Sequence, residues 1–361
     1  MDAHGDMFTA KSVIKVIGVG GGGGNAVNRM IESDVKGVEY VAINTDAQVL
    51  RLSKAETRVQ IGRKLTKGLG AGADPSIGKD AAYENIDEVK NVVAGSDLVF
   101  VTCGMGGGTG TGAAPIVAQC ARDSGAVVVG IVTKPFGFEG KRRMQQALQG
   151  IEEMKPYVDS LIIVPNDKLL DIIGTNTTYL EAFSEVDNVL KRAVQGISDI
   201  ISLPGHINVD FADVKNVLEN KGTALMGIGI ASGPNRAIEA ARKAIQSPLL
   251  EIDINGATDA IVQITSDSDI TMKEVEDVVL EIRNASSTDI NIIYGNGFNL
   301  DLNGEVIVTV IDTGFDRIKN KVNNDKPAYE ETTTEKDLSE NKENKDSAET
   351  KVPSWLQDRF R

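Results

Sequence analysis

The sequence is poor in cysteine, histidine and basic residues, and each shortage excludes a class of protein. Cys103 and Cys120 are the only cysteines in 361 residues, which argues against a disulfide framework and for the reducing cytoplasm. His4 and His206 are too few for a histidine-rich zinc site or an ordinary Ser-His-Asp triad. The chain has 38 basic and 52 acidic residues, which gives a net charge of −14. This excess of acidic residues argues against a basic surface that binds nucleic acid.

Long apolar runs are also missing. No segment approaches the roughly 20 apolar residues of a membrane-spanning helix. The first residues, MDAHGDMFTAK, contain acidic residues and lack the apolar core of a secretory signal. We therefore expect a cytoplasmic protein that does not insert directly into a membrane.

Five short apolar runs, rich in β-branched residues, predict buried strands in the first half of the chain. Polar or glycine-rich loops and helical patterns follow them, and such alternation is typical of βαβ units. We predict an α/β fold with a parallel sheet covered by helices on both faces, and ligands beyond the carboxyl ends of its strands. The runs are VIKVIGVG from Val13, VEYVAINTD from Val38, DLVFVTCG from Asp97, AVVVGIVTKP from Ala126 and LIIVPND from Leu161.

The rest of the chain divides into three further parts. Apolar residues at helical spacing predict one long helix from Leu180 to Ile201, and a second, smaller α/β section with a mixed sheet follows. Near Arg317 the sequence becomes charged and polar with little to bury, which is typical of a disordered linker. The predicted boundaries are 1–11 for a flexible N-terminus, 12–179 and 204–316 for the two α/β domains, 180–203 for the connecting helix, 317–350 for the linker and 351–361 for a terminal peptide.

The first glycine run is an ambiguous signal. Gly18, Gly20 and Gly23 match G-x-G-x-x-G, the dinucleotide fingerprint, before a helix predicted from Asn25. A run of five glycines also matches that pattern by chance of register. A dinucleotide site and a plain strand-to-helix turn therefore both stay open.

The second glycine run, GMGGGTGTG from Gly104, is far more specific. Successive glycines let backbone N–H groups converge on an anion, and the following helix adds the positive end of its dipole. Two such loops on one sheet indicate a polyphosphate held from two sides. The chain has no P-loop motif G-x-x-x-x-G-K-[ST], and neither run contains lysine, so we expect Mg²⁺ to supply countercharge.

These motifs together resemble the tubulin/FtsZ family, and most closely its bacterial cell-division members. The resemblance runs from about Ile14 to Gly314 and includes IKVIGVGGGGGNAVNRM, AINTDAQ, TKGLGAGA, GMGGGTGTGAAP, VTKPFGFEGKRR, PNDKLL, AVQGI and NVDFADVK. It implies a GTPase that binds GTP or GDP with Mg²⁺ and polymerises head to tail. It further implies that the filaments form the cytokinetic ring at the division site, beneath the membrane.

The resemblance also implies a set of nucleotide-binding residues. Glu139 and Arg143, on its ribose side, are otherwise typical of an ordinary charged surface. The set falls in the two glycine runs, in the loops near Asp46 and Ala71, at two further strand ends and on the long helix. Its members are Gly21, Gly22, Gly23, Gly24, Asn25, Asn44, Asp46, Ala71, Gly72, Gly107, Gly108, Thr109, Gly110, Thr111, Glu139, Arg143, Asn166, Phe183 and Asp187.

Asp187 is the most informative member of that set. Helical spacing places its carboxylate at the edge of the apolar stripe that contains Phe183 and Leu190, where it needs a partner. The resemblance supplies guanine, whose N1–H and N2 amino groups are donors that adenine lacks. The alternative is a boundary residue bonded to backbone or water.

Asp210 and Asp213 lie three residues apart at the start of a helix predicted to end at Gly222. From spacing alone, Asn208 or Asp210 is an N-cap and Asp213 a favourable acid in the first turn. The resemblance implies that this loop completes the neighbouring subunit's site, where Asp210 and Asp213 orient or deprotonate the attacking water and Asn208 supports them.

The terminal peptide, KVPSWLQDRFR, contains the only tryptophan of the chain. The resemblance implies docking to division proteins and membrane anchors through Val352, Pro353, Trp355 and Leu356, although an acidic residue of the family pattern is replaced here. A frayed terminus is the alternative. Two rival functions also stay open: an NAD(P) oxidoreductase built on the first glycine run, and a GTP-binding filament protein without turnover.

Overall fold

A computed structural model describes residues 12–173, 177–202, 210–250, 256–286, 289–299 and 302–315. Within them ten strands form one sheet in the order β3-β2-β1-β4-β5-β6-β7-β10-β8-β9. The strands are β1 (Ile14–Val19), β2 (Glu39–Asn44), β3 (Thr57–Gln60), β4 (Leu98–Gly104), β5 (Val127–Lys134), β6 (Ser160–Pro165), β7 (Gly222–Ser232), β8 (Asp259–Ser266), β9 (Asn291–Phe298) and β10 (Glu305–Thr313).

Helices alternate with these strands along most of the described chain, and none of them is both long and apolar enough to cross a membrane. They are α1 (Gly20–Glu32), α2 (Ala47–Arg51), α3 (Arg63–Thr66), α4 (Pro75–Glu84), α5 (Ile86–Val93), α6 (Thr109–Asp123), α7 (Lys141–Met154), α8 (Asn166–Ile173), α9 (Tyr179–Ser202), α10 (Phe211–Leu218), α11 (Arg236–Ile245) and α12 (Met272–Ala285).

Strands β1 to β6 are all parallel, which confirms the predicted α/β class. Their side chains alternate between two apolar cores, so both faces of the sheet are covered. Ile14, Val16 and Phe100 face one core with α1 and α9, whereas Ile17 and Val101 face the other with α5 and α6. The carboxyl ends of these strands therefore meet at one edge, where the loops gather.

The second section has the predicted mixed sheet. Strand β10 pairs antiparallel with β7 and β8, and β9 pairs parallel with β8. A short parallel pairing of Ser160–Ile162 with Gly222–Ala224 joins β6 to β7. The two sections thus share one sheet, and α9 packs on both through an apolar stripe that includes Val186, Leu190 and Ile197.

Two predicted helix ends are wrong. Helix α1 begins at Gly20 and not at Asn25, because the glycine run is itself the first turn of the helix. It lies so close to β4 that a Cβ at Gly23 would be 2.4 Å from the carbonyl oxygen of Thr102. Helix α10 ends at Leu218 and not at Gly222, which already belongs to β7. The predicted linker and terminal peptide lie outside the described residues.

Candidate functional site

A cavity of about 430 Å³ opens at the carboxyl ends of β1, β4 and β5. Its wall combines the start of α1, the loop before α4, the loop between β4 and α6, the start of α8 and one side of α9. Most of the predicted nucleotide-binding residues lie together in this wall. They are Gly21, Gly22, Asn25, Ala71, Gly107, Gly108, Thr109, Gly110, Glu139, Arg143, Asn166, Phe183 and Asp187.

The other predicted residues do not line the cavity. Several of them form hydrogen bonds within the loops that surround it. The Asp46 carboxylate caps α2 by accepting hydrogen bonds from the N–H groups of Gln48 and Val49, and the Asn44 side chain accepts one from the Asp46 N–H. The Thr111 hydroxyl accepts a hydrogen bond from the Gly106 N–H, within the second glycine run. Gly23 lies within α1 and packs against β1 and β4, whereas a Cβ at Gly24 or Gly72 would meet no described atom within 4 Å.

Sequence reasoning missed several residues of the wall. Val186 and Leu190 belong to the apolar stripe of α9 beside Asp187, and Thr133 and Pro135 lie at the end of β5. The strand-end rule that located the other loops could have found the last two. The full set that was missed is Ala73, Gly104, Met105, Thr133, Pro135, Val186 and Leu190.

The glycine loops leave their backbone open toward the cavity. A Cβ at Gly21 or Gly107 would meet no atom within 4 Å, so no described residue lies against the backbone on that side. At Gly108, by contrast, a Cβ would lie 2.8 Å from the Ala71 side chain and 2.9 Å from the Asp74 nitrogen, so any side chain would push the two loops apart. Helix α6 begins beside this loop, and a helix N-terminus favours an anion.

On the opposite side of the cavity, the side chains of Asp187 and Asn166 are hydrogen-bond acceptors that a ligand could use. Burial raises the pKa of the Asp187 carboxyl group to about 6, although nearby Arg29 acts to lower it. No hydrogen bond contributes to the pKa of Asp187. The buried Oδ1 of Asn166 has no hydrogen-bond partner among the described residues. The Phe183 ring packs edge-on against Phe136, with ring centres 5.1 Å apart. These acceptors fit a planar ligand that carries N–H donors.

Glu139 and Arg143 form an ion pair in the cavity wall. Arg143 Nη1 lies 3.1 Å from Glu139 Oε2, and Glu139 Oε1 accepts a 2.8 Å hydrogen bond from the Phe136 N–H. The Arg143 side chain is about half exposed, so it remains accessible to a ligand.

The predicted catalytic loop lies elsewhere in the same chain. Asp210 caps α10, because its Oδ1 accepts a 3.0 Å hydrogen bond from the Asp213 N–H. Both aspartates are exposed and neither contributes to the cavity wall. Asn208 lies outside the described residues. One chain therefore does not bring these carboxylates to its own cavity.

Cys103 lies in β4, directly before the second glycine run, and has no exposed surface. It is a free thiol, and burial raises its pKa to about 12. A thiol that stays protonated is a poor nucleophile. This confirms the interpretation of Cys103 as a small buried residue.

Comparisons with known proteins agree with this geometry. Residues 13–174 match the model of the GTPase domain of the Tubulin/FtsZ family, and residues 222–316 match the C-terminal domain of the FtsZ family. An empty FtsZ dimer from M. jannaschii is 44% identical, with a TM-score of 0.81, over 84% of this chain and 88% of that one. An FtsZ mutant from the same organism matches at 44% identity and a TM-score of 0.82, over 85% and 92%.

A more distant match extends the similarity to a nucleotide-bound protein. The GDP-bound monomer of CetZ1 from Haloferax volcanii is 25% identical, with a TM-score of 0.71, over 85% of this chain and 97% of that chain. The two family models match residues in both α/β sections, and the two M. jannaschii structures match at 44% identity over 84% and 85% of this chain. The chain therefore belongs to the FtsZ family of tubulin-like GTPases.

Proposed function

We propose that this FtsZ-family chain polymerises head to tail, hydrolyses GTP at the contact between neighbouring subunits and builds the cytokinetic ring at the division site. The observation that carries the proposal is the separation within one chain of the nucleotide cavity from the exposed carboxylates of Asp210 and Asp213. A second copy can supply those carboxylates to the cavity. The FtsZ structure from M. jannaschii is described as a dimer, which supports self-association.

Guanine is the base that the cavity accepts best. No hydrogen bond contributes to the pKa of Asp187, and the Asn166 Oδ1 has no hydrogen-bond partner within the described residues, whereas guanine offers N1–H and an N2 amino group. Adenine would leave the carboxylate unpaired, at a cost of roughly 1–3 kcal/mol. The Phe183 ring, on the same side of the cavity, fits against a base plane.

The triphosphate lies, in this proposal, against the open backbone of the two glycine loops and the start of α6. Mg²⁺ would neutralise part of its charge, since Mg²⁺ takes phosphate and water oxygens as ligands and needs few protein groups. In keeping with this, the part of the chain that the structure describes has no cluster of three or more His, Cys, Asp or Glu side chains that could hold a metal. The Thr109 hydroxyl is the described group in the loop best suited to such a complex.

Hydrolysis requires a water molecule aligned with the terminal phosphate. Asp213, exposed in the first turn of α10, and Asp210, which caps the helix, would orient that water in the neighbouring subunit's site. Asn208 would support them. The glycine-loop amides stabilise the charge that develops on the phosphate, since carboxylates cannot.

The terminal peptide is the proposed contact to division proteins and membrane anchors. Trp355 supplies a large aromatic anchor, flanked by Val352, Pro353 and Leu356. Such a peptide would place the filaments beneath the membrane without inserting into it.

One set of measurements tests the proposal. Light scattering of the purified protein with GTP, GDP, ATP and NAD⁺ in turn should rise with GTP alone, and phosphate release per molecule should increase steeply above an assembly threshold. Binding of NAD⁺ in preference to GTP would indicate an oxidoreductase. Assembly without phosphate release would indicate a filament protein that does not hydrolyse GTP, and turnover unchanged down to dilute monomer would indicate a self-contained site.

Asp213→Ala sharpens this test. The variant should bind GTP and assemble but hydrolyse GTP poorly. Mixing it with Gly108→Val, in which the new side chain would strike the Ala71 loop and abolish GTP binding, should restore turnover at interfaces with one intact half from each chain. Proven co-assembly without recovery would contradict a shared site.

A further inference from the structure

The C-terminal end of α10 is hydrogen-bonded to two strands, one from each α/β section. The last four carbonyls of a helix have no partner within it. Here the Ser160 hydroxyl, on β6, donates a 2.6 Å hydrogen bond to the Leu218 carbonyl, and the Thr313 hydroxyl, on β10, donates a 2.8 Å bond to the Val217 carbonyl. Ser160 and Thr313 both have no exposed surface. Two side chains that are distant in sequence thus hold one short helix end.

The chain that leaves the helix is anchored in the same place. The Asn220 N–H donates to Asp159 Oδ1 at 3.2 Å, and the Lys221 N–H donates to the Asp159 carbonyl at 2.8 Å. Asp159 is itself tied to β5, since its Oδ2 accepts a 2.9 Å bond from the Val128 N–H. The buried Lys221 ammonium pairs with Asp259 at the start of β8.

The opposite end of α10 carries Asp210 and Asp213. The helix has eight residues and is therefore about 12 Å long. Val214, Val217 and Leu218 seat it against the core, while both aspartates extend into solvent. A rotation of α10 about its hydrogen-bonded C-terminal end would therefore displace the carboxylates at its N-terminal end.

We propose that Ser160 and Thr313 are positioning residues for GTP hydrolysis, and that they set the orientation in which α10 presents Asp210 and Asp213 to the neighbouring subunit. The inference rests on the proposed function, because it presumes that these aspartates act in trans. It adds two buried hydroxyls that do not line the cavity. Thr313 is 96 residues from Val217 in sequence, and Ser160 is 58 residues from Leu218.

A positioning role differs in its consequences from a purely structural one. Neither hydroxyl lines the cavity, so nucleotide affinity and assembly should stay as in the parent protein. Catalysis depends on ångström-scale alignment of the attacking group, so turnover per assembled subunit should fall by about tenfold.

The experiment uses the full chain with Ser160→Ala and Thr313→Val, which remove the hydroxyl and keep most of the volume. Thr313→Ser keeps the hydroxyl and should retain turnover. Ser198→Ala is the matched control, because Ser198 is also a fully buried serine but bonds within α9, to the Gln195 carbonyl. GTP affinity, sedimented polymer, urea unfolding and phosphate release per assembled subunit are measured for each.

Mixing then shows which side of the interface is affected. A Gly108→Val subunit has an intact α10 but does not bind GTP. At a mixed interface it would present that α10 to the GTP bound by a Thr313→Val subunit, so phosphate release per Thr313→Val molecule should rise. Adding Gly108→Val to Asp213→Asn should have the same effect, which verifies the shared site independently.

Three results would overturn the inference. They are normal turnover in both Ser160→Ala and Thr313→Val, a loss of turnover that follows GTP affinity, or no recovery on mixing when Asp213→Asn does recover. If Thr313→Val does not fold, Ser160→Ala alone decides by the same criteria. If Asp213→Asn hydrolyses GTP normally, or is not rescued, the proposed function fails and this inference fails with it.

Discussion

The hydroxyl groups of Thr45 and Thr109 lie 2.6 Å apart and share one buried hydrogen bond. Thr45 follows β2, whereas Thr109 begins α6 and lines the cavity. This bond ties the loop that contains Asp46 to the second glycine loop. The loop of Asp46, which does not line the cavity, is thereby connected to Thr109, which does.

Thr45→Val should therefore weaken GTP binding without abolishing it. The substitution removes one buried hydrogen bond and leaves the Thr109 hydroxyl without its partner, a loss of about 1 kcal/mol or roughly fivefold in affinity. Equilibrium titration with a fluorescent GTP analogue measures it. Thr45→Ser keeps the hydroxyl and should bind as the parent does, so equal weakening in both variants would contradict the explanation.

Guanine recognition by Asp187 should depend on pH. In the free protein burial raises the pKa of this carboxyl group to about 6, so it takes up a proton as the pH falls through 6. Because guanine N–H groups need the carboxylate, GTP affinity should be constant above pH 7 and fall by about tenfold per pH unit below 6.

Asp187→Asn is the control for that profile. The phosphates of GTP also titrate near this pH, and they do so equally with both proteins. The ratio of parent to variant affinity therefore isolates Asp187, and it should increase with pH to a plateau near 7. A ratio independent of pH between 5 and 8 would remove Asp187 from the base site.

Asp312 should make the folded chain less stable as the pH rises. It has no exposed surface, and neither carboxyl oxygen has a hydrogen-bond partner among the described residues. Burial raises its pKa to about 7. Its folded pKa lies above the usual value of 3.8, so the stabilisation is complete below pH 3.8 and is lost as the pH rises toward 7. The loss amounts to about 4 kcal/mol.

Urea unfolding of the parent and of Asp312→Asn at pH 5 and pH 7.5 measures this effect. The parent should lose more free energy of unfolding than the variant between the two values, because the amide does not titrate. Ser266→Ala, at another fully buried group without a partner, should keep the parent's pH dependence. Equal pH dependence in parent and Asp312→Asn would contradict the assignment.

Deleting residues 351–361 should leave GTP turnover and assembly nearly unchanged and abolish recruitment to the membrane. The segment contains the only tryptophan, and Trp355→Ala alone should reproduce most of the loss because an aromatic anchor supplies much of a docking peptide's affinity. Fluorescence microscopy of tagged chains, with sedimentation of the purified proteins, measures both properties. The hypothesis fails if the shortened chain still reaches the membrane, or if it no longer assembles.

Local pattern was sufficient to predict the architecture. The β-branched runs from Val13, Asp97 and Ala126 became buried parallel strands, since such side chains favour a pleated strand covered on both faces. The spacing of Leu190 and Ile197 predicted α9 to within a residue at each end. The glycine run from Gly104 predicted an anion loop because its chemistry lies in consecutive backbone groups.

Other features depended on which distant residues meet. The first turn of α1, which starts at Gly20, packs closely against β4, and no local pattern contains that contact. Side chains of β6 and β10 hydrogen-bond to the C-terminal end of α10. The buried oxygens of Asn166 and Asp312 lack partners among the described residues because of what surrounds them in space. The sequence by itself determined the strands, the long helix and the glycine loops, because propensity and periodicity act between near neighbours. Only the tertiary structure decided the cavity wall, the pKa values and the orientation of α10, because burial and hydrogen bonding depend on residues that folding brings together.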